Sequence, residues 1–287
     1  MIKLITESAA DLTPTQIRKF NIQVIPMHIS INGKSYLDND GLRPQKIFSE
    51  VESYGNYPLT AAPSISEYKK YFSQPGEKIF IGVSSKLSSA FNNATIAAEE
   101  LNDENIHLID ARSISSGVGR LVLKAGFLIQ NNLSAIEITE EIHKSVDLGR
   151  GLILLDTLDY LYHGGRVSSI KRWIGSILQI RPILFVKRNG TLDVIRNVHG
   201  SRKKCLDLLL NEMTKEKNNI DPDMIILTYL DCKEDAEYLR DLIIDLLPEC
   251  NLITSEVGCV LASHSGPNAI GIAYSLLDNI KESNEIS

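Results

Sequence analysis

Ile79-Phe80-Ile81-Gly82-Val83-Ser84-Ser85-Lys86-Leu87-Ser88-Ser89-Ala90 is the stretch whose reading decides the fold class. Ile79–Val83 is a short apolar run without alternation, which suits a strand buried on both faces of a parallel sheet. A serine-rich turn follows, and then an alanine-rich helical pattern over Ser89–Leu101. Working outward, Ile106–Ile109 and Gly151–Leu155 repeat the buried parallel-strand signal, separated by a helical stretch over Gly117–Asn131. Upstream, Lys3–Thr6 and Gln23–Ile31 read as strands. Thr13-Pro14 marks a helix start, with a capping hydroxyl, proline at the first helical position and Gln16 three residues after the cap. Ser64–Glu67 and Ser134–Glu137 each fit a capping box. Strands alternating with helices predict a doubly wound, mostly parallel α/β sheet.

The second half has a different grain. Phe185–Lys187 and Leu192–Ile195 flank Asn189-Gly190, a hairpin signal that predicts antiparallel pairing. A helix is expected over Ser201–Lys217, a strand over Met224–Leu230, a helix over Glu234–Leu246 and a strand over Leu252–Val257. A last helix is expected over Pro267–Ile280, with a fraying tail. The boundary between the halves falls near residues 150–165, which divides the chain into 1–155 and 156–287. No repeat or low-complexity segment is present.

Composition narrows the function. The chain has 287 residues, long enough to bury a sizeable core. With 43% hydrophobic and 23% charged residues it reads as a folded soluble protein. A net charge of −6 argues against a nucleic-acid surface, which needs a basic footprint. The one basic cluster, Arg202-Lys203-Lys204, reads as a solvated helix start. No segment approaches the apolar run of a membrane span, and the amino terminus lacks the apolar core of a signal peptide. Cys205, Cys232, Cys250 and Cys259 form no C-x-x-C pair, which predicts free thiols in a reducing cytoplasm.

Four turns could carry chemistry. Gly82–Ala90 leads from a strand into a helix, at the carboxyl end of a parallel sheet, where ligands of such sheets bind. Helix-terminal N–H groups favour an anion there, and Ser84, Ser85 and Ser88 add hydroxyls; the alternative is that they only cap the helix. Thr60 precedes Ala61-Ala62-Pro63-Ser64, and Pro63 holds that segment extended, so its hydroxyl is available to a ligand or is simply a loop hydroxyl. His264, in Ala262–Gly271, stands in a small-residue turn before the expected last helix, as a ligand group or as a surface histidine. Arg166 projects from the Gly164-Gly165 turn and suits carboxylate or phosphate recognition, or a structural hydrogen bond. His28, His107, His143 and His163 show no metal-ligand spacing.

Taken in order, these motifs resemble one family. Ile5–Leu12 resembles the DegV opening T-D-S-x-A-D-L, Thr60–Ser64 resembles T-S-Q-P-S, and Ser84–Ser89 resembles S-S-x-L-S-G. His163–Ser168 resembles the G-G-R-I-S element, Leu178–Leu184 resembles L-x-I-K-P-I-L, and His264–Gly271 resembles H-x-G-P-G-A-x-G. The resemblance to this bacterial family implies a two-domain DegV-like fold: a parallel-sheet α/β/α N-terminal domain and an α/β C-terminal domain with a mixed sheet. It implies one buried long-chain fatty acid as ligand, no cofactor and no catalytic residue. Family members known as FakB present that acid to a separate DAK-type fatty acid kinase, which makes the acyl-phosphate. A transient membrane contact for lipid exchange is part of the same expectation. The carboxylate-binding positions carry over to Thr60, Ser88 and His264, and Arg166 matches a position implicated in docking the kinase. The chain departs from the pattern at Glu7, Ala61, Ala62, Ser89, His199 and Asn268.

Such a ligand poses two physical problems. Each buried methylene contributes about 0.8 kcal/mol, so a long chain gains on the order of 10 kcal/mol before entropy costs. Its carboxylate resists burial unless hydrogen-bonded. Thr60 and Ser88 would supply those bonds, and His264 would bind most strongly as an imidazolium. Two other classes stay open from sequence. One is a serine hydrolase with Ser88 as nucleophile and His264 as base, oriented by Asp110 or Asp156, although no G-x-S-x-G elbow is present. The other is a phosphate- or nucleotide-binding regulator using the same helix terminus.

Overall fold

The structure, a computed structural model, describes residues 2–38, 40–166 and 180–278. Val167 and Ser168 of the glycine-arginine motif, Leu178 and Gln179 of the proline motif, and the tail after 278 lie outside the described residues.

A four-stranded sheet of order β2-β1-β6-β7 is parallel throughout: β1 (Lys3–Glu7), β2 (Gln23–Ile25), β6 (Lys78–Gly82) and β7 (Ile106–Asp110). Every residue of β6 is buried, as the unbroken apolar run predicts for a central strand. The sheet is covered on both faces. Leu4, Ile79, Ile81 and Ile109 pack with α5 (Ser116–Gln130) and α6 (Ala135–Leu148). Ile5, Ile25 and Phe80 pack with α3 (Ile65–Phe72) and α4 (Ala90–Leu101). The capping boxes read from sequence are formed at Thr13 before α1 (Pro14–Phe20), at Ser64 before α3 and at Ser134 before α6.

The expected strand Gln23–Ile31 is broken in two. Pro26 has no N–H to continue the ladder, and Met27 N–H donates to Ser8 Oγ at 3.1 Å instead. The chain leaves the parallel sheet there and enters a small antiparallel one, order β4-β3-β5, of β3 (His28–Ile31), β4 (Lys34–Leu37) and β5 (Leu59–Ala61). Helix α2 (Pro44–Tyr54) lies between β4 and β5 in sequence.

The second large sheet is mixed, with order β10-β9-β8-β13-β11-β12. It contains β8 (Gly149–Leu154), β9 (Arg181–Val186), β10 (Leu192–Val198), β11 (Ile220–Tyr229), β12 (Leu252–Glu256) and β13 (Ile270–Leu276). The Asn-Gly hairpin pairs β9 with β10 as expected. Helices α8 (Arg202–Thr214) and α9 (Lys233–Leu246) cover one face. The other face meets α5, α7 (Asp159–His163) and α10 (Cys259–Ser265).

Two expectations are corrected in this sheet. Gly151–Leu155 is no parallel strand: β8 runs antiparallel to both its neighbours, β9 and β13. The last helix expected over Pro267–Ile280 is absent from the described part of that range, where β13 is a strand paired on both sides. A seven-residue apolar segment buried on both faces carries no period that separates helix from strand. Gly271 lets the neighbouring strand approach closely, since a Cβ there would stand 2.7 Å from Thr228 Oγ1.

Two polar features hold the fold, one joining its two large sheets and one lying wholly within the second half. Ser84, in the turn after β6, is fully buried and donates from Oγ to the Gly190 carbonyl at 2.8 Å. Ser84→Ala is expected to destabilise the chain by about 1 kcal/mol, the net worth of a buried hydrogen bond. A lower urea midpoint with unchanged slope would show it; an unchanged midpoint would show that the contact carries no energy. The second is a charge network. Asp156 accepts from Arg181 at 2.6 Å, Arg202 at 2.9 Å and Asn268 at 2.9 Å. Arg202 also donates to Asp235 at 2.7 Å and to the Asn268 carbonyl at 2.6 Å. Arg202 opens α8 as expected, but it is not freely solvated there: Asp156, Asp235 and the Asn268 carbonyl hold it.

Candidate functional site

The order of the parallel sheet reverses beside β1, with β2 on one side and β6 on the other. Turns leaving adjacent strands at such a reversal diverge and leave a crevice at their carboxyl ends. Ala9 after β1, and Val83, Leu87 and Ser88 after β6, line a cavity at that place. Thr60 reaches it from β5, Arg166 from just beyond α7, and His264 from the last turn of α10. The four residues singled out from sequence thus share one cavity. His264 sits inside a short helix that precedes a strand, which corrects its expected place in a turn before a helix.

Thr60 Oγ1 and His264 Nε2 share a hydrogen bond of 2.7 Å across 204 positions of sequence. Ser88 Oγ accepts from Ala90 N–H at 3.2 Å, a bond in the turn before α4, whose N-cap is Ser89 with no side-chain cap bond; Ser88 also lines the cavity. Arg166 donates from Nε to the Leu87 carbonyl at 3.2 Å and from Nη1 to the Gly164 carbonyl at 2.5 Å, which fixes it beside the serine turn. Glycines give His264 its room. A Cβ on Gly164 would stand 2.3 Å from Nδ1. Gly266, at φ +70°, closes α10 against the Tyr160 ring, where a Cβ would meet Cδ2 at 2.6 Å.

The electrostatics correct one expectation. Burial, with Arg166 nearby, pushes the His264 pKa down to about 3, so the imidazole is neutral rather than an imidazolium at physiological pH. Arg166 is the permanent cation among the lining residues, half-buried, with its own pKa lowered by burial. A pKa that low also makes His264 a weak catalytic base, although the ring is unprotonated. Among the described residues its one hydrogen bond goes to Thr60. Asp110 accepts instead from Ser85 and Arg112 N–H groups, and Asp156 is engaged by Arg181, Arg202 and Asn268. The serine-histidine-aspartate set considered from sequence is not assembled.

The chamber that holds these four residues adjoins a second one. Ile114, Leu161, Leu192, Leu261 and His264 line both. The second chamber lies against the inner face of the mixed sheet, on Leu152, Leu184, Val257 and Ile272 among others. Sequence reading found the polar end but not this lining. Its residues come from strands of the second sheet and look like ordinary core. No group of three or more His, Cys, Asp or Glu that could hold a metal ion occurs among the described residues. The four cysteines are free thiols, and no helix among the described residues is long and apolar enough to cross a membrane.

Fold and cavity together define a two-sheet α/β protein with two adjoining, largely aliphatic chambers and with Thr60, Ser88, His264 and Arg166 grouped at one end. The chain belongs to the DegV family: the family model described as "Uncharacterised protein, DegV family COG1307" matches residues 1–276. A DegV domain-containing protein of Caldanaerobacter subterraneus subsp. tengcongensis is 30% identical over 277 residues, 95% of this chain and 98% of its own. The fold is shared with solved structures. A DegV family protein from Thermus thermophilus, described by its fatty acid binding, superposes with a TM-score of 0.87 at 24% identity, covering 96% of this chain and 99% of that one. The Streptococcus pneumoniae Fatty Acid Kinase (Fak) B3 protein, loaded with linoleic acid, superposes with a TM-score of 0.86 at 22% identity, covering 96% and 100%.

Proposed function

We propose that this chain binds one long-chain fatty acid and presents its carboxylate to a separate fatty acid kinase of the DAK type, which forms the acyl-phosphate. The observation that carries this reading is the grouping of Thr60, Ser88 and His264 with Arg166, the one permanent cation of the lining, at one end of a largely aliphatic cavity. The fatty acids bound by structural relatives support it. The acyl chain supplies most of the affinity by leaving water. Hydroxyls of Thr60 and Ser88 donate to the carboxylate; with the Thr60 proton so used, the one N–H of a neutral His264 donates to Thr60 Oγ1 and holds it in place. A carboxylate arriving there would raise the His264 pKa again, because it favours the charged imidazole.

Arg166 has two parts in this reading. It supplies positive charge beside the head group, and it contributes to kinase docking at the same end. Arg166→Ala is therefore expected to weaken oleate binding about tenfold, the worth of one charge-assisted bond, and to lower acyl-phosphate formation further than the lost affinity explains. Calorimetric titration with oleate and a coupled kinase assay separate the two effects. Unchanged oleate affinity in the variant would remove Arg166 from the head-group site.

A further inference from the structure

The lipid cavity leaves one buried charge without a role. Arg120 stands on α5 with 4% of its surface exposed. Its guanidinium donates from Nη2 to the Ser145 carbonyl at 2.9 Å, near the end of α6. Among the described residues it has no ion-pair partner, and Asp221 is the one acid that acts on it electrostatically. Burial lowers its pKa to about 10, so its charge is held against a desolvation penalty. A buried guanidinium with no ion-pair partner among the described residues is poorly compensated.

Arg120 lines a separate narrow cleft, and the other charged residues of its wall are Arg112, Arg150, Lys187 and Arg188, with no Asp or Glu. Arg112, Arg150 and Lys187 also pair with Asp147, Glu216 and Asp193, none of which lines the cavity. Arg188 forms no ion pair among the described residues. The elements that converge are the loop before α5, α5 itself, the start of β8 and the β9–β10 hairpin. Cations drawn from four places to one concave wall raise the local concentration of anions. Their number exceeds what a single carboxylate balances and suits an oxyanion with more than one charge. Planar guanidinium groups match such oxygens in pairs.

We propose that this cavity is a binding site for a phosphate group, as the free ion or as a small phosphate monoester. It is distinct from the Thr60–His264 end of the lipid cavity and does not rest on the lipid reading. Its wall shares Ser113, Gly117, Gly151 and Val186 with the deep aliphatic chamber, so the two sites are neighbours through one layer of residues.

The test is calorimetric titration of the full chain with inorganic phosphate and with ethyl phosphate, at ionic strength held constant with sodium chloride. Saturable one-site binding is expected, with a Tm that rises with phosphate concentration. Arg188→Glu should weaken binding about tenfold or more, the effect of losing a charge-assisted contact and adding a repulsive one, while leaving oleate affinity as it is. Arg120→Gln should abolish phosphate binding; if that variant does not fold, Arg150→Gln takes its place with the same expectation. Tighter binding of ethyl phosphate would assign the site to a monoester, and tighter binding of the inorganic ion would assign it to free phosphate. A signal that never saturates and is matched by sodium chloride would overturn the proposal. So would equal phosphate affinity in the parent and Arg188→Glu, or an Arg120→Gln protein that is less stable but binds phosphate unchanged, since Arg120 would then serve only the end of α6.

Discussion

A Thr60→Ala, Ser88→Ala double variant is expected to bind oleate about a hundredfold more weakly than the parent chain while remaining folded. Both hydroxyls stand at the polar end of the cavity. A hydrogen bond to a charged acceptor contributes about 1.5 kcal/mol or more, and two of them give about two decades in affinity. The loss exceeds that of two surface bonds because the carboxylate left behind has no water to replace them. Some stability is lost too. Thr60 is the one hydrogen-bond partner of His264 among the described residues, and Ser88 Oγ accepts from Ala90 N–H in the turn before α4. Those structural losses amount to about 1 kcal/mol each and are read separately by urea unfolding without ligand. The affinity difference is read by calorimetry against the folded fraction. Equal oleate affinity in the parent and the double variant would move the head group elsewhere in the cavity.

Replacing Glu7 with glutamine is expected to flatten part of the dependence of stability on pH. Glu7 is buried at the end of β1, where it accepts from the Tyr68 hydroxyl at 2.5 Å and from Val83 N–H at 2.9 Å. Desolvation outweighs both bonds and raises its pKa from 4.5 to about 7. The folded state therefore holds a proton that the unfolded chain has lost across that range. Stability from this group is full below pH 4.5, falls as pH rises toward 7, and is gone above it; the whole change is about 3 kcal/mol. Glutamine keeps the shape of the protonated acid and cannot ionise. Between pH 5 and pH 8 the variant should gain about 2 kcal/mol on the parent. Asp11 is shifted in the same direction, to about 7, by burial. His264 works the other way, its contribution being lost as pH falls from 6.5 toward 3. Both groups are present in parent and variant, so they cancel in the difference to the extent that they do not couple with Glu7. Parallel stability curves for the two proteins would mean that Glu7 ionises freely in the folded state.

What could be read in the sequence follows the range of the forces involved. Helix starts at Thr13, Ser64 and Ser134 are set by side chains three residues apart, and they formed as read. The central strand β6 announced itself because burial on both faces leaves an unbroken apolar run. The same property hid the identity of β13, and it concealed that β8 pairs antiparallel. Direction and partner are decided by residues far away in the chain. The convergence of Thr60 with His264 is a contact of that kind. It was reached through family resemblance, since neither residue carries a local signal for the other. The charge state of His264 was misjudged because its pKa is set by burial among groups that sequence does not place together. Asn268 illustrates a departure that the structure explains. It adopts φ 58°, a conformation glycine takes freely and asparagine tolerates, and its side chain donates to Asp156.

The most direct measurement is the identity of whatever the purified chain carries. The protein is isolated without detergent, denatured and extracted into organic solvent, and the extract is quantified by mass spectrometry against protein concentration. One long-chain fatty acid per chain is the result expected of a largely aliphatic cavity with Thr60, Ser88, His264 and Arg166 grouped at one end. An extract empty of lipid, from a protein that also fails to take up oleate when it is supplied, would contradict it.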